Sequence, residues 1–87
     1  MYILVVYDVD VKRVTKVHKF LKQYLHWVQN SVFEGELTPA QIEELKSGLN
    51  KIVNKETDSI LVFAARDARW LEKEVIGKER GVTDNFI

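Results

Sequence analysis

The 87-residue chain contains no cysteine. That absence excludes a disulfide framework, a thiolate zinc site and a cysteine nucleophile. Histidine occurs only at His18 and His26, which excludes a histidine-rich metal centre. An excess of either charge is also missing, because 13 basic residues balance 13 acidic ones. A globally cationic coat for nucleic acid is therefore ruled out. A nucleic-acid role needs a local patch, or a partner that supplies the charge. No apolar run approaches the roughly 20 residues that cross a bilayer. The opening stretch has no basic leader, and its apolar run is too short for a secretory signal. A cytoplasmic protein without membrane association is expected. Repeats, low complexity and linkers are absent.

What is present is the composition of a folded globule: 46% hydrophobic and 30% charged residues. The length predicts one domain over residues 1–87. A chain this short buries roughly 60% of the surface its unfolded form exposes, so its core is thin and a subunit interface would help it.

The run Tyr2-Ile3-Leu4-Val5-Val6-Tyr7 predicts a central strand covered on both faces. Asp8-Val9-Asp10 ends it, with Asp10 placed to cap a helix. Val14, Val17, Leu21 and Leu25 then repeat at helical spacing, which predicts a helix ending near Leu25. Lys12, Arg13, Lys16, Lys19 and Lys22 occupy its other side. Trp27-Val28-Gln29 and Val32-Phe33-Glu34 return to strand character. Asn30-Ser31 between them is either a tight two-residue turn or a kink in one longer strand.

Thr38-Pro39-Ala40-Gln41 starts a second helix, with Thr38 as N-cap, Pro39 in the first position and Gln41 closing a capping box. Ile42, Leu45, Leu49, Ile52 and Val53 form its apolar stripe. Gly48 weakens it by about 1 kcal/mol relative to alanine. Ile60-Leu61-Val62-Phe63-Ala64 predicts another buried strand. The order strand, helix, strand, strand, helix, strand predicts an α+β fold, a ferredoxin-like βαββαβ sandwich. The tail, residues 66–87, exceeds that fold. It carries Trp70, Val75-Ile76 and Phe86-Ile87, and is expected to pack on the sheet or on a partner subunit as an extra C-terminal strand.

Two features carry candidate chemistry. Asp8 stands at the C-terminal end of the first strand, where open α/β sheets place function. It reads either as a solvated carboxylate closing a strand or as a ligand. One carboxylate holds Mg²⁺ poorly, since that ion wants octahedral oxygen ligands. Two copies of Asp8 facing each other across a two-fold axis would make an anionic metal pocket. The second feature is the basic stripe of Lys12, Lys16 and Lys19, with Arg13 beside it. It reads either as a soluble outer surface or as a phosphate-binding face. The first 30 residues hold five basic and two acidic side chains, an asymmetry that favours the second reading. His18 and His26 read as boundary packing, and Trp27 and Trp70 as packing or interface residues.

The opening strand ending in Tyr7-Asp8 resembles that of CRISPR-associated protein 2. So do the Lys12-Arg13 start of a lysine-rich helix, the run Val28-Gln29-Asn30-Ser31-Val32-Phe33-Glu34-Gly35, the Asp58-Ser59-Ile60 strand start and the Glu74-Val75-Ile76-Gly77 tail. The likeness covers nearly the whole chain in order and spacing. It implies a ferredoxin-like homodimer packed through its sheets, with the tail added to the partner's sheet. It implies work alongside the CRISPR-associated protein 1 integrase in spacer acquisition, on DNA. It also implies an endonuclease that cleaves RNA or DNA with Mg²⁺ or Mn²⁺, in which Asp8 holds the metal. Tyr7, Arg13, Ser31 and Phe33 line the same region in the family. One departure stands out: many members carry an arginine where this chain has Trp27. A guanidinium can stabilise transition-state charge and an indole cannot. A catalytically silent DNA-binding scaffold is therefore the alternative, and a virulence-associated D-type toxin ribonuclease is a remote third.

Overall fold

Strand alternation and two helical crossovers place everything else. A computed structural model describes residues 1–70 and 72–81. The elements are β1 (Tyr2–Asp8), α1 (Val11–Lys22), β2 (His26–Gln29), β3 (Val32–Glu36), α2 (Pro39–Ile52) and β4 (Ser59–Ala65), followed by one 3₁₀ turn (Ala68–Trp70). The sheet order is β2-β3-β1-β4, with every neighbouring pair antiparallel. This is the expected ferredoxin-like arrangement.

Helix ends follow local chemistry. Asp10 caps α1 by accepting from the Lys12 backbone N–H at 3.1 Å. The last turn of α1 tightens: Gln23 and Tyr24 donate to Phe20 and Leu21 carbonyls three residues back. Thr38 and Gln41 form the reciprocal capping box at α2. Gly48 has a packing role there. A Cβ at that position would sit 2.1 Å from the Phe20 ring, so the missing side chain is what lets α1 and α2 close together. Between β2 and β3, Asn30 and Ser31 form a turn, with Asn30 at φ 43°. The connection is thus a hairpin rather than a kink, and asparagine tolerates the left-handed backbone it needs.

Both helices lie on one side of the sheet. Ile3, Val5 and Tyr7 of β1 face them, and Phe33 of β3 joins that layer. Val17, Leu21, Leu45 and Leu49 complete the buried core from the helices. The other face departs from the sequence expectation. Leu4 and Val6 are only half-buried there, and Leu61 and Phe63 of β4 are 53% and 50% exposed. β1 is covered fully on one face only, and β4 is an exposed edge strand rather than a buried one. The cause on β1 is geometric, because crossovers on one side cover one parity of strand positions; on β4 its edge position adds to this, since Val62 and Ala64 on the helix side are exposed as well.

The tail crosses part of this open face. Lys73 pairs with Glu34 of β3. Residues 73–76 line a cleft of about 280 Å³ with Leu4, Val28 and Val32. Residues 72–80 form no strand in the single chain. Phe86 and Ile87 lie outside the described residues. Among the described residues, no helix is long and apolar enough to cross a membrane.

Candidate functional site

The site begins with parity. Asp8 ends β1 in register with Ser59 of β4, on the same face as Leu4 and Val6. Its carboxylate is exposed, at the edge of the open apolar face. Tyr7 has the opposite parity. It is 5% exposed, stacks on Phe33 at 6.3 Å between ring centroids, and burial pushes its phenol pKa up. Tyr7 and Phe33 are therefore core side chains, facing away from Asp8. Ser31 is brought to the end of β1 by its backbone, because its carbonyl accepts from the Tyr7 N–H at 3.1 Å.

Arg13 is committed elsewhere. Its Nε donates to Asp58 Oδ2 at 2.5 Å, and its Nη2 donates to Asp58 Oδ1 at 3.0 Å and Thr57 Oγ1 at 3.2 Å. The side chain of Arg13 is 17% exposed and that of Asp58 is 0% exposed. Asp58 also accepts from the backbone N–H of Asp10 and of Asn54, each at 2.9 Å. The Arg13 guanidinium, together with those two N–H groups, holds the Asp58 carboxyl well below the usual carboxylate range, although burial opposes the shift. A bidentate fork of this kind is a strong charge-assisted contact. It ties the first turn of α1 to the loop before β4. Arg13 thus does not present a free guanidinium at the site.

The remaining expected residues are distributed as follows. Lys12, Lys16 and Lys19 are all exposed on α1. Trp27 lies on the helix side, in register with Phe33, and its Nε1 donates to the Asn30 carbonyl at 3.0 Å. His18 packs edge-on against Phe33 at 5.0 Å and Trp27 at 6.4 Å, as the boundary-packing reading expects. On the open face, Tyr2 is held up at about 12, by burial first and then by its hydrogen bond to Glu34 and the charge of Glu34 and Glu36.

A hard divalent cation needs several oxygen ligands. Among the described residues, no three histidine, aspartate or glutamate groups converge to hold a metal ion. Asp10 is spent as a cap and Asp58 on Arg13. Among the described residues, one chain therefore offers a single uncommitted carboxylate at the end of β1, too few oxygen ligands to hold such an ion by itself. Sequence reasoning missed the role of Asp58, which it read only as the opening of a strand. The available signal was the polar turn ahead of it, where Asn54 Oδ1 accepts from the Glu56 N–H at 3.0 Å.

The chain matches the family model for CRISPR associated protein Cas2 over residues 1–73. It is 49% identical over 82 residues to CRISPR-associated endoribonuclease Cas2 2 of Archaeoglobus fulgidus, covering 94% of this chain and 89% of that one. It is 48% identical over 87 residues to CRISPR-associated endoribonuclease Cas2 of Pyrococcus furiosus, covering both chains completely. Among solved structures, a crystal structure of Cas2 superposes with a TM-score of 0.79 at 48% identity, over 92% of this chain and 90% of that one. Streptococcus pyogenes Cas2 superposes with a TM-score of 0.74 at 34% identity, over 86% of this chain and 99% of that one.

Proposed function

Since the chain belongs to the Cas2 family of CRISPR-associated nucleases, we propose that it is a homodimeric subunit of spacer acquisition that binds nucleic acid and cleaves its phosphodiester bonds. In this reading the protein acts in the cytoplasm, with the CRISPR-associated protein 1 integrase as partner and Mg²⁺ or Mn²⁺ as cofactor. The observation that carries it is the position of Asp8. It is the free carboxylate at the end of β1, on the sheet face that one chain leaves half uncovered. A second copy laid on that face buries Leu61 and Phe63 and brings a second Asp8 to the first. Between the two carboxylates a divalent ion would be held, and it would supply Lewis-acid stabilisation at phosphorus and a more acidic water. The chain's own part is to fix those carboxylates and to hold the phosphate backbone on Lys12, Lys16 and Lys19. Such contacts position a strand without reading its sequence. The test is cleavage of RNA and duplex DNA with Mg²⁺, Mn²⁺ or chelator. Cleavage should need metal and vanish in Asp8→Ala while the dimer mass is kept. Equal cleavage by both proteins removes Asp8 as the ligand.

A second reading, a catalytically silent scaffold in the same complex, is favoured by the commitment of Arg13, whose guanidinium is occupied by Asp58. No cleavage by the parent, with duplex binding that falls steeply with salt and weakens further in Lys16→Glu/Lys19→Glu, would select the scaffold.

A further inference from the structure

We infer that Asp58 is the positioning residue of Asp8, fixing the backbone on which that carboxylate stands. The inference rests on the reading of Asp8 as a cation ligand. Asp8 is the last residue of β1, and the segment after it must turn at once into α1. A ligand at a strand end is only as well placed as the backbone on either side of it. On one side the ladder holds Asp8 opposite Ser59. Two residues on, the Asp10 N–H donates to Asp58 Oδ1. Ser59 and Asp58 are neighbours, so one short stretch pins both sides of the turn. Val9 between them packs against the core.

Asp58 is itself over-determined. Oδ1 faces the Asp10 N–H and Arg13 Nη2, while Oδ2 faces Arg13 Nε and the Asn54 N–H. No part of its side chain is exposed. Three segments converge on this one carboxylate: the β1–α1 turn, the first turn of α1 and the loop after α2. A buried ion pair adds little net stability over an apolar pair of the same volume, so what this one contributes is geometry. Outer groups that orient a ligand commonly change metal affinity 10- to 100-fold when removed. Arg13 then acts through Asp58 and not by touching the substrate.

The test is Mn²⁺ binding by the intact protein, read by titration calorimetry and by the Mn²⁺ spin-resonance signal. The parent should bind, and Asp8→Ala should not. Asp58→Asn, at unchanged particle mass and helix content, should bind about 10- to 100-fold more weakly. Thr38→Ala, which loosens the far cap of α2 and leaves the clamp alone, should keep the parent affinity. If Asp58→Asn does not fold, Arg13→Lys reads the same clamp, because it keeps the charge and loses the fork; it too should weaken binding. A folded clamp variant that binds Mn²⁺ as tightly as the parent overturns the inference. So does a Thr38→Ala variant that weakens binding as much as the clamp variant. If the parent does not bind, or Asp8→Ala binds equally, the cation reading of Asp8 falls and takes the inference with it. That failure is visible without any Asp58 variant.

Discussion

The two faces of the sheet share strands and differ in what covers them. Toward the helices, Ile3, Val5 and Phe33 have no exposed surface. On the far side, Leu4 and Val6 of the same strand β1 are only partly buried, and Leu61 and Phe63 of the edge strand are half exposed. One residue of register separates a finished core from an unfinished one, because strand side chains alternate. The candidate chemistry follows the same parity. Tyr7 went inward and became packing, whereas Asp8 went outward and stayed available. Adjacent residues of one motif therefore have unlike roles, and the outward one belongs to the face that a single chain leaves incomplete.

Three substitutions or titrations sharpen this contrast. The largest effect is expected on the helix face. Phe33→Ala should cost roughly 3–5 kcal/mol in urea unfolding, a large share of the roughly 5–15 kcal/mol that holds a domain together. Phe63→Ala on the open face should cost about 1 kcal/mol or less in the same experiment run dilute enough that both proteins are single chains, since its ring is only half covered within the chain. Sedimentation should instead show the variant shifted toward single chains. A Phe63→Ala loss equal to that of Phe33→Ala would erase the distinction between the faces. The smallest effect is on Tyr2, at the half-buried edge of the open face. Its folded-state pKa lies above the unfolded value near 10, so its protonated form contributes stability fully below about pH 10. That contribution fades as the pH rises toward about 12. Solvent screening keeps it small. The alkaline limb of stability in Tyr2→Phe should be correspondingly flatter than in the parent.

Much of the fold was legible because it is written locally. The Thr38-Pro39-Ala40-Gln41 start of α2 needs no distant partner, and its cap formed as expected. The run Tyr2 to Tyr7 marked β1 because a β-branched, aromatic stretch has few alternatives. Gly48 was legible as a weak point in the helix and not as the space that Phe20 fills, since that contact joins two helices. β4 was misjudged as buried for a deeper reason. An apolar strand reads alike whether its cover comes from its own chain or from another. At the site, Asp8 and the α1 lysines were legible from position and charge. The Arg13–Asp58 clamp was not, because it spans 45 residues and neither residue is unusual locally.

The most direct measurement is the stoichiometry of Mn²⁺ uptake, taken with the particle mass in the same solution. A two-chain particle that takes up one ion for each pair of chains is expected, and an Asp8→Ala variant that keeps the mass and loses the ion. One ion per chain, or a single chain that binds Mn²⁺ as well as the pair, would contradict that expectation.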